Sequence, residues 1–322
     1  MSAPARRGSL SKTARPVQFH DDAPRSGYRE HSAGTGAQIL RTGFDVTAYT
    51  HAAPAPISVD ADAIRATTNT DDVAPYQLAR LRHDLGFLQG LDASAHSETR
   101  TMYSSWTVNE ARITAFIATW MWERLGWSHS VRKVLHALPP APAQDAFLNA
   151  NLHREPRSLT NRMRRTYVDR FLPTVGTLWT IAARERVTAG HMARMAIQEG
   201  SLVAAYRALL PRLDTVPEAH RVISEIIRRR ANAVAFFTEE ALARIRRSRA
   251  ERLVAAVVLA VGGDPLRPAG LRLPGESRAR RSIFSRPEDR AALHAAHETI
   301  TRHLPNLPLV DSRRYLALER RE

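Results

Sequence analysis

An arginine inside an apolar helical stripe is the feature of this chain that most constrains its fold. Between Val222 and Leu242, apolar residues recur at steps of three or four, the period of one face of an α-helix. The members of the stripe are Ile223, Ile226, Ala233, Val234, Phe237 and Ala241. Arg230 lies inside this stripe, one turn after Ile226. An arginine at such a position either extends its charge to the surface or pairs with a buried acid.

Three further stretches have the same helical period, and each carries one charged residue within its stripe. The stretches are Asp71–Ala95, Thr101–Leu138 and Arg186–Leu210, and their charged residues are Asp92, Arg124 and Glu199 in that order. Asp92 is near the end of its stretch, where it could equally face water. Glu199 is at the centre of its stripe, and an uncompensated carboxylate there would cost several kcal/mol, so it requires a partner.

The remaining polar candidates have simpler interpretations. Glu110 and Glu123 lie off the centre of their stripe, so we expect them to face solvent. His191 precedes Glu199 by eight residues, too far along one helix for both to bind the same metal, and we interpret it as structural or exposed. Trp120, Trp122 and Trp127 give the second stretch a thick aromatic surface, which is typical of core packing.

The order of segments predicts three regions. Residues 1–70 lack a sustained period and are predicted to form a largely disordered basic arm, of which Gly43–Tyr49 could dock locally on the folded part. Residues 71–245 hold the long helices, and residues 246–322 are predicted to add a C-terminal helical extension packed on them. Within that extension, Asp264–Ser282 is predicted to be a loop. No pair of strands with hairpin chemistry is visible, so the predicted class is all-α, a bundle of long helices.

Composition limits the classes of function. The 322 residues include no cysteine, which excludes disulfides and thiolate metal sites. The longest apolar run, Leu253–Val261, is far shorter than the ~20 residues of a spanning helix. Residues 1–50 contain no apolar core of a signal peptide. We therefore expect a soluble, cytoplasmic protein with no membrane span.

The net charge of +15 raises the question of nucleic-acid binding. Only Lys12 and Lys133 among the 47 basic residues are lysine, so 45 are arginine, which indicates coding bias as much as a selected surface. The candidate basic runs are Arg228–Arg230, Arg244–Arg252 and Arg278–Arg281. They lack the interleaved aromatic residues of single-strand binders. Weak polyanion binding is the most that this pattern predicts.

Four segments resemble the ferritin-like di-iron carboxylate superfamily, in particular the acyl-carrier-protein desaturases and their actinobacterial relatives. The segments are FIATWMWERLGW (Phe116–Trp127), AGHMARMAIQEGSLVAAYRAL (Ala189–Leu209), IIRRRANAVAFF (Ile226–Phe237) and IFSRPEDRAALHAAHETITRHLPNLPLV (Ile283–Val310). The resemblance extends over residues 71–310. It implies a ferritin-like bundle of long antiparallel helices, and members of this group are often dimers, so a homodimer is also an expectation.

The chain departs from this superfamily at its metal ligands. Such sites use a glutamate from each of two helices and a Glu-x-x-His pair from each of the other two. In the register of the resemblance, Arg124 and Trp127 replace the first Glu-x-x-His pair, and Arg230 and Ala233 replace the second. Glu199 matches a retained glutamate and Asp92 a less certain one. The resemblance therefore implies a degenerate metal site in which Asp92, Arg124, Glu199 and Arg230 form an ion cluster lined by Trp120, Trp127, Tyr206, Ala233 and Phe237.

Three functional hypotheses follow. The first is a non-catalytic ferritin-like protein without a cofactor or metal, which acts through a protein partner or a buried apolar ligand. The second is a non-haem di-iron oxidase or desaturase with divergent ligands. Its candidates would be Asp92, Glu110, Glu123, His129, His191 and Glu199, and a residual metal would be held by Asp92, Glu123 and Glu199. The third is a weak polyanion binder. We favour the first.

Overall fold

Every regular element is a helix in the part of the chain that the computed structural model describes. The described residues are 42–52, 55–68, 74–139, 183–262, 264–267 and 275–305. The prediction of an all-α protein is confirmed for these residues. None of their helices combines the length and the apolar character that crossing a membrane requires.

We number the α-helices in chain order. They are α1 (Val46–His51), α2 (Ala61–Thr68), α3 (Pro75–Ala93), α4 (Ala95–Tyr103), α5 (Ala111–Ala137), α6 (Val187–Leu209), α7 (Pro217–Arg247), α8 (Arg249–Gly262), α9 (Glu276–Ile283) and α10 (Pro287–Thr301). Short 3-10 turns precede α5, precede α6 and follow α6, at Trp106–Asn109, Arg184–Arg186 and Leu210–Arg212.

Local sequence determines where the long helices begin and end. Pro217 opens α7, where the N–H that proline lacks would have no helical partner. Leu138 ends α5 with extended backbone, since the following Pro139 disfavours a helical conformation in the residue before it. Asp45 caps α1 by accepting a hydrogen bond from the backbone N–H of Ala48 at 2.9 Å.

Helices α3 and α5 run antiparallel and form one side of a four-helix bundle. The start of α3 contacts the end of α5, where Arg82 donates to the carbonyl oxygen of Leu135. The end of α3 contacts the middle of α5, where Asp92 pairs with Arg124. Their facing apolar side chains are mostly leucine and valine, and they pack into one continuous core cluster.

Helices α6 and α7 form the other side and are also antiparallel. A short connection joins the two helices, and Glu199 near the middle of α6 pairs with Arg230 near the middle of α7. Helix α7 also runs antiparallel to α5, because Glu240 near its end pairs with Arg112 near the start of α5. Its Arg230, nearer the start, covers the ring of Trp127 near the end of α5.

It follows that α5 and α6 run in the same direction. The end of α5 and the end of α6 lie together, since both contact α3 at neighbouring positions: Arg82 donates to Leu135, and Asp84 pairs with Arg212 just after α6. The end of α5 and the start of α6 are therefore at opposite ends of the bundle. The bundle therefore consists of two antiparallel pairs, α3 with α5 and α6 with α7. The helices that follow one another between the pairs, α5 and α6, run in the same direction.

Helix α6 is the centre of the fold. Nearly all of its residues are buried, because it packs against α3, α7, α8 and α10. Two glycines allow the closest approaches. A Cβ atom on Gly190 would lie 2.5 Å from Val258 of α8, and one on Gly200 would lie 3.2 Å from Ala296 of α10. A helix enclosed on all sides buries its polar residues as well as its apolar ones.

Several predicted boundaries are wrong. The predicted arm contains α1 and α2, whose Tyr49 and Ile64 are buried, so residues 42–52 and 55–68 belong to the folded unit that starts at Thr42. Helices α8 and α10, which lie in the predicted C-terminal extension, pack directly against α6 of the bundle. The loop predicted over Asp264–Ser282 contains most of α9.

The predicted helix over Thr101–Leu138 is interrupted. Helix α4 ends at Tyr103, and α5 starts only at Ala111. The Ser105 hydroxyl oxygen accepts from the N–H of Thr107 and so stabilises the turn between them. The predicted caps Asp71 and Asp72, the segment from Pro140 to Ala182 and the last residues of the closing segment lie outside the described residues.

Candidate functional site

Each of the four bundle helices contributes one charged residue to the middle of the core. They are Asp92 on α3, Arg124 on α5, Glu199 on α6 and Arg230 on α7, and all four side chains are fully buried. These are the four residues whose position in an apolar stripe suggested a buried role. We refer to them as the ion cluster. The structure brings them into direct contact.

Arg230 joins the two acids of the ion cluster. Its Nη1 donates to Oε2 of Glu199 at 2.6 Å, and its Nη2 donates to Oδ1 of Asp92 at 2.6 Å. The two bonds use the planar fork of the guanidinium, which gives them geometric specificity as well as strength. Arg230 therefore ties α7 to both α6 and α3.

Arg124 approaches the same acids from α5. Its Nε donates to Oδ1 of Asp92 at 3.1 Å, and its Nη2 donates to the carbonyl oxygen of Leu91 at 2.8 Å. Its Nη1 lies 3.4 Å from Oε1 of Glu199, an ion-pair contact, and that oxygen makes no hydrogen bond to any described residue. Oδ1 of Asp92 thus receives a hydrogen bond from each arginine.

A third carboxylate also contacts the ion cluster, and sequence reasoning did not identify it. Glu98 on α4 accepts a hydrogen bond from Nη1 of Arg124, and it also accepts from the side chains of Gln198 and Ser94. Glu98 lies on a short helix without a clear apolar stripe, so its spacing gave no signal. The only available clue was the need of a buried arginine for further acceptors.

Aromatic rings enclose the ion cluster. The guanidinium carbon of Arg230 lies 4.6 Å from the ring centre of Trp127 and 5.5 Å from that of Tyr206, and that of Arg124 lies 5.3 Å from Trp120. The Tyr206 hydroxyl donates to Oδ2 of Asp92 at 2.7 Å. Ala233 and Phe237, the other expected lining residues, are also buried here, and Phe237 packs edge-on against Trp120.

The electrostatics keep both arginines charged. Burial by itself lowers the pKa of Arg124, but the carboxylates of Glu98, Glu199 and Asp92 outweigh burial and raise that pKa above its ordinary value. The pKa of Arg230 is raised in the same way, since Asp92 and Glu199 outweigh its burial. Burial, followed by the charge of Asp92, raises the pKa of Tyr206, so its hydroxyl stays a donor.

Glu123 does not face solvent as expected. It is buried, and it accepts a hydrogen bond from the hydroxyl of Tyr49 on α1. Burial raises the pKa of its carboxyl, and the charge of Glu199 adds to this, although the Tyr49 hydrogen bond and the charges of Arg229 and Arg230 act in the opposite direction. Glu123 therefore lies within electrostatic range of the ion cluster, on its α1 side.

The other candidate metal ligands do not converge. Glu110 pairs with Arg244 at 2.7 Å, and His129 is exposed. His191 is buried, with Nδ1 2.7 Å from Oγ1 of Thr107, and burial lowers its pKa to about 4. No group of three or more metal-binding side chains is present among the described residues.

The ion cluster also does not fit a di-iron centre. Such a centre needs carboxylate and imidazole donors free to bind metal. Here, guanidinium groups hold Asp92 and Glu199 at hydrogen-bonding distance, and each guanidinium carries a positive charge into the space between the helices. Trp127 and Ala233 offer no donor at the positions where the resemblance would place histidines.

All three basic runs are partly neutralised, the third through Arg280, which pairs with Asp264 and Glu276. Arg228 and Arg229 each pair with Glu225 at 2.6 Å, and Arg230 is buried in the ion cluster. In the second run, Arg244 pairs with Glu110, and Arg247 also pairs with an acid, Glu251. These arginines do not form an open stripe for a polyanion.

Comparison of the chain with family models, curated proteins and solved structures gives no match.

Substitutions at Glu199 and Arg230 test the energetic coupling of the ion cluster. We expect Glu199→Ala and Arg230→Met each to lower the free energy of unfolding by about 3–5 kcal/mol, since each removes a hydrogen-bonded partner from charges that stay buried. The double variant should lose clearly less than the sum of the two. The measurement is chemical denaturation of all four proteins. A Glu199→Ala variant as stable as the wild type would contradict the coupling.

Glu123 predicts a dependence of stability on pH. A carboxyl whose pKa is raised by folding stabilises the folded state below its unfolded pKa, near 4.5, and this contribution is lost as the pH rises through the folded pKa. Glu123→Gln keeps an acceptor for Tyr49 without a charge. We expect its stability relative to the wild type to increase as the pH rises from about 4.5. A constant difference at every pH in denaturation curves would contradict the raised pKa.

Proposed function

We propose that this chain is a ferritin-like helical protein in which an ion cluster has replaced the di-iron centre, and that it acts by binding and not by metal catalysis. The observation that carries the proposal is the pairing of Arg124 and Arg230 with Asp92 and Glu199 at the centre of the bundle. In the register of the resemblance, these are the positions of metal ligands.

The direction of the helices supports the ferritin-like part of the proposal. Ferritin-like bundles have one long crossover connection, which joins two helices of the same direction. Helices α5 and α6 have the same direction, and the end of one and the start of the other lie at opposite ends of the bundle. The ion cluster lies between all four helices, as a bundle metal centre does.

Of the two binding modes, a protein partner fits the described residues better than a buried apolar ligand. The centre of the bundle is filled by the ion cluster and the rings of Trp120, Trp127 and Tyr206. A cleft of about 550 Å³ lies between residues 55–58 and α7, but its lining includes several arginines, Glu225 and Ser224. Such a lining does not suit an apolar molecule.

The outward face of α5 supports binding to another protein. Trp122 is 70% exposed and Leu125 is 37% exposed, one turn apart on this face, and Ala115 and Ala118 continue it. Small residues beside a large aromatic side chain permit close approach of a second helix. A second copy of the chain is the partner we propose, since members of the superfamily that the chain resembles are often dimers, and a two-fold interface would pair this face with itself.

Metal binding tests the loss of the di-iron centre. We expect purified wild-type protein incubated with Fe(II) under argon to retain no stoichiometric iron, because its acids are held by guanidinium groups. A variant with Arg124→Glu, Trp127→His, Arg230→Glu and Ala233→His should gain binding, which a further Glu199→Ala should weaken. The measurement is metal analysis after gel filtration. About two irons per wild-type chain would refute the proposal.

Light scattering tests the proposed self-association. We expect the wild type to be a dimer and Trp122→Asp/Leu125→Asp to be a monomer, because the charges would have to be buried in the interface. Leu253→Asp is the control, since Leu253 on α8 is 55% exposed but lies outside this face. A monomeric wild type, or a dimer that the α5 substitutions leave intact, would exclude this surface as the interface.

A further inference from the structure

We propose a binding site for a small phosphorylated molecule where the end of α7, the start of α8 and the end of α10 meet. Its side chains are Arg246, Arg252, Arg302 and His303, which we call the anion site. The phosphate group would be bound by guanidinium hydrogen bonds together with the imidazole. This site is separate from the ion cluster and does not depend on the function proposed for the bundle.

The apolar core beneath the anion site fixes its geometry. Ile245 at the end of α7, Ala256 and Leu259 of α8, and Ile300 and Leu304 around the end of α10 belong to one buried cluster. Arg246, Arg252 and His303 each lie next to, or one turn from, a member of that cluster. Three separate elements therefore hold the basic side chains over a common apolar base.

The contacts at the surface are consistent with this placement. Nε of Arg252 donates to the carbonyl oxygen of Ile245 at 3.3 Å, which holds the start of α8 against the end of α7. Nε of Arg302 donates to Nε2 of His303 at 3.2 Å. Arg246 and Arg302 are exposed, while Arg252 and His303 are half-buried. No hydrogen bond to another described residue occupies the outer nitrogens of Arg252 and Arg302.

The anion site carries positive charge that no described carboxylate offsets. Among the described residues, no acid pairs with Arg246, Arg252 or Arg302, whereas other surface arginines such as Arg228 and Arg286 are paired. Partial burial lowers the pKa of His303, and the charges of Arg302, Arg246 and Arg252 lower it further.

The size of the anion site indicates a single phosphate group and not a nucleic-acid backbone. A phosphodiester chain needs a stripe of unpaired basic residues along its path. Beyond the anion site along α7, Arg247 pairs with Glu251, and Arg244 pairs with Glu110. These pairs interrupt the uncompensated charge along α7, so the anion site suits the compact dianion of a phosphate monoester better than an extended phosphodiester chain.

Calorimetric titration of the full chain with inorganic phosphate, and separately with phenyl phosphate, tests the anion site. We expect Arg246→Gln/Arg302→Gln to weaken binding of both probes by about tenfold or more, through loss of charge-assisted hydrogen bonds. Arg278→Gln/Arg281→Gln is the matched control, because it removes the same charge from two exposed arginines of α9. It should leave both affinities nearly unchanged. Equal weakening in the two double variants would overturn the anion site.

The pKa of His303 distinguishes phosphate bound at the anion site from phosphate attracted to the basic surface in general. Binding and protonation are reciprocally linked, so bound phosphate should raise the pKa of His303 in the wild type but not in Arg246→Gln/Arg302→Gln. The imidazole signal is followed by NMR and assigned through its loss in His303→Gln. An unchanged His303 signal on addition of phosphate would overturn the proposal. So would a short DNA duplex that binds far more tightly than phosphate and is weakened equally in both double variants.

Discussion

The fold depends on the mutual compensation of charges that water cannot reach. Asp92, Arg124, Glu199 and Arg230 are all fully buried, and an isolated charge in such a place would cost several kcal/mol. The cost is offset only while the four helices hold the groups at hydrogen-bonding distance. The ion cluster therefore does not simply add stability. It makes one relative placement of α3, α5, α6 and α7 acceptable and penalises the others.

The surroundings of the ion cluster follow from this requirement. Two guanidinium groups offer more hydrogen-bond donors than Asp92 and Glu199 can accept, so Glu98 and the carbonyl oxygen of Leu91 take part. The flat faces of the arginines need neighbours too, and aromatic rings are favourable because their π-faces attract cations. Trp120, Trp127 and Tyr206 provide them.

The chemistry of the ion cluster also limits where the molecule can bind other molecules. A metal centre and an ion cluster solve a similar problem, since both neutralise carboxylates that a helical bundle buries at its centre. Arginines do so without exchangeable ligands, so the centre offers no open position for a substrate. Any activity of the molecule is then expected at its surface, where Trp122 and the anion site are accessible.

Several features could be predicted from the sequence because they are local. The period of the apolar residues predicted the helices, and a charge at the wrong place in a stripe identified each residue of the ion cluster. Prolines and glycines indicated approximately where these helices end. These signals depend only on neighbours three or four positions away, so they do not require knowledge of the fold.

Other features were decided only by the tertiary structure. Glu123 lies off its apolar stripe, yet it is buried because α1 packs over it, and α1 is in a segment whose composition predicts disorder. Glu98 joins the ion cluster from a short helix without a stripe. Helix α6 is enclosed by α3, α7, α8 and α10, so burial there does not follow a single face. In each case a segment distant in sequence determines which side chains are buried and what they contact. The spacing of residues along one helix therefore cannot predict it.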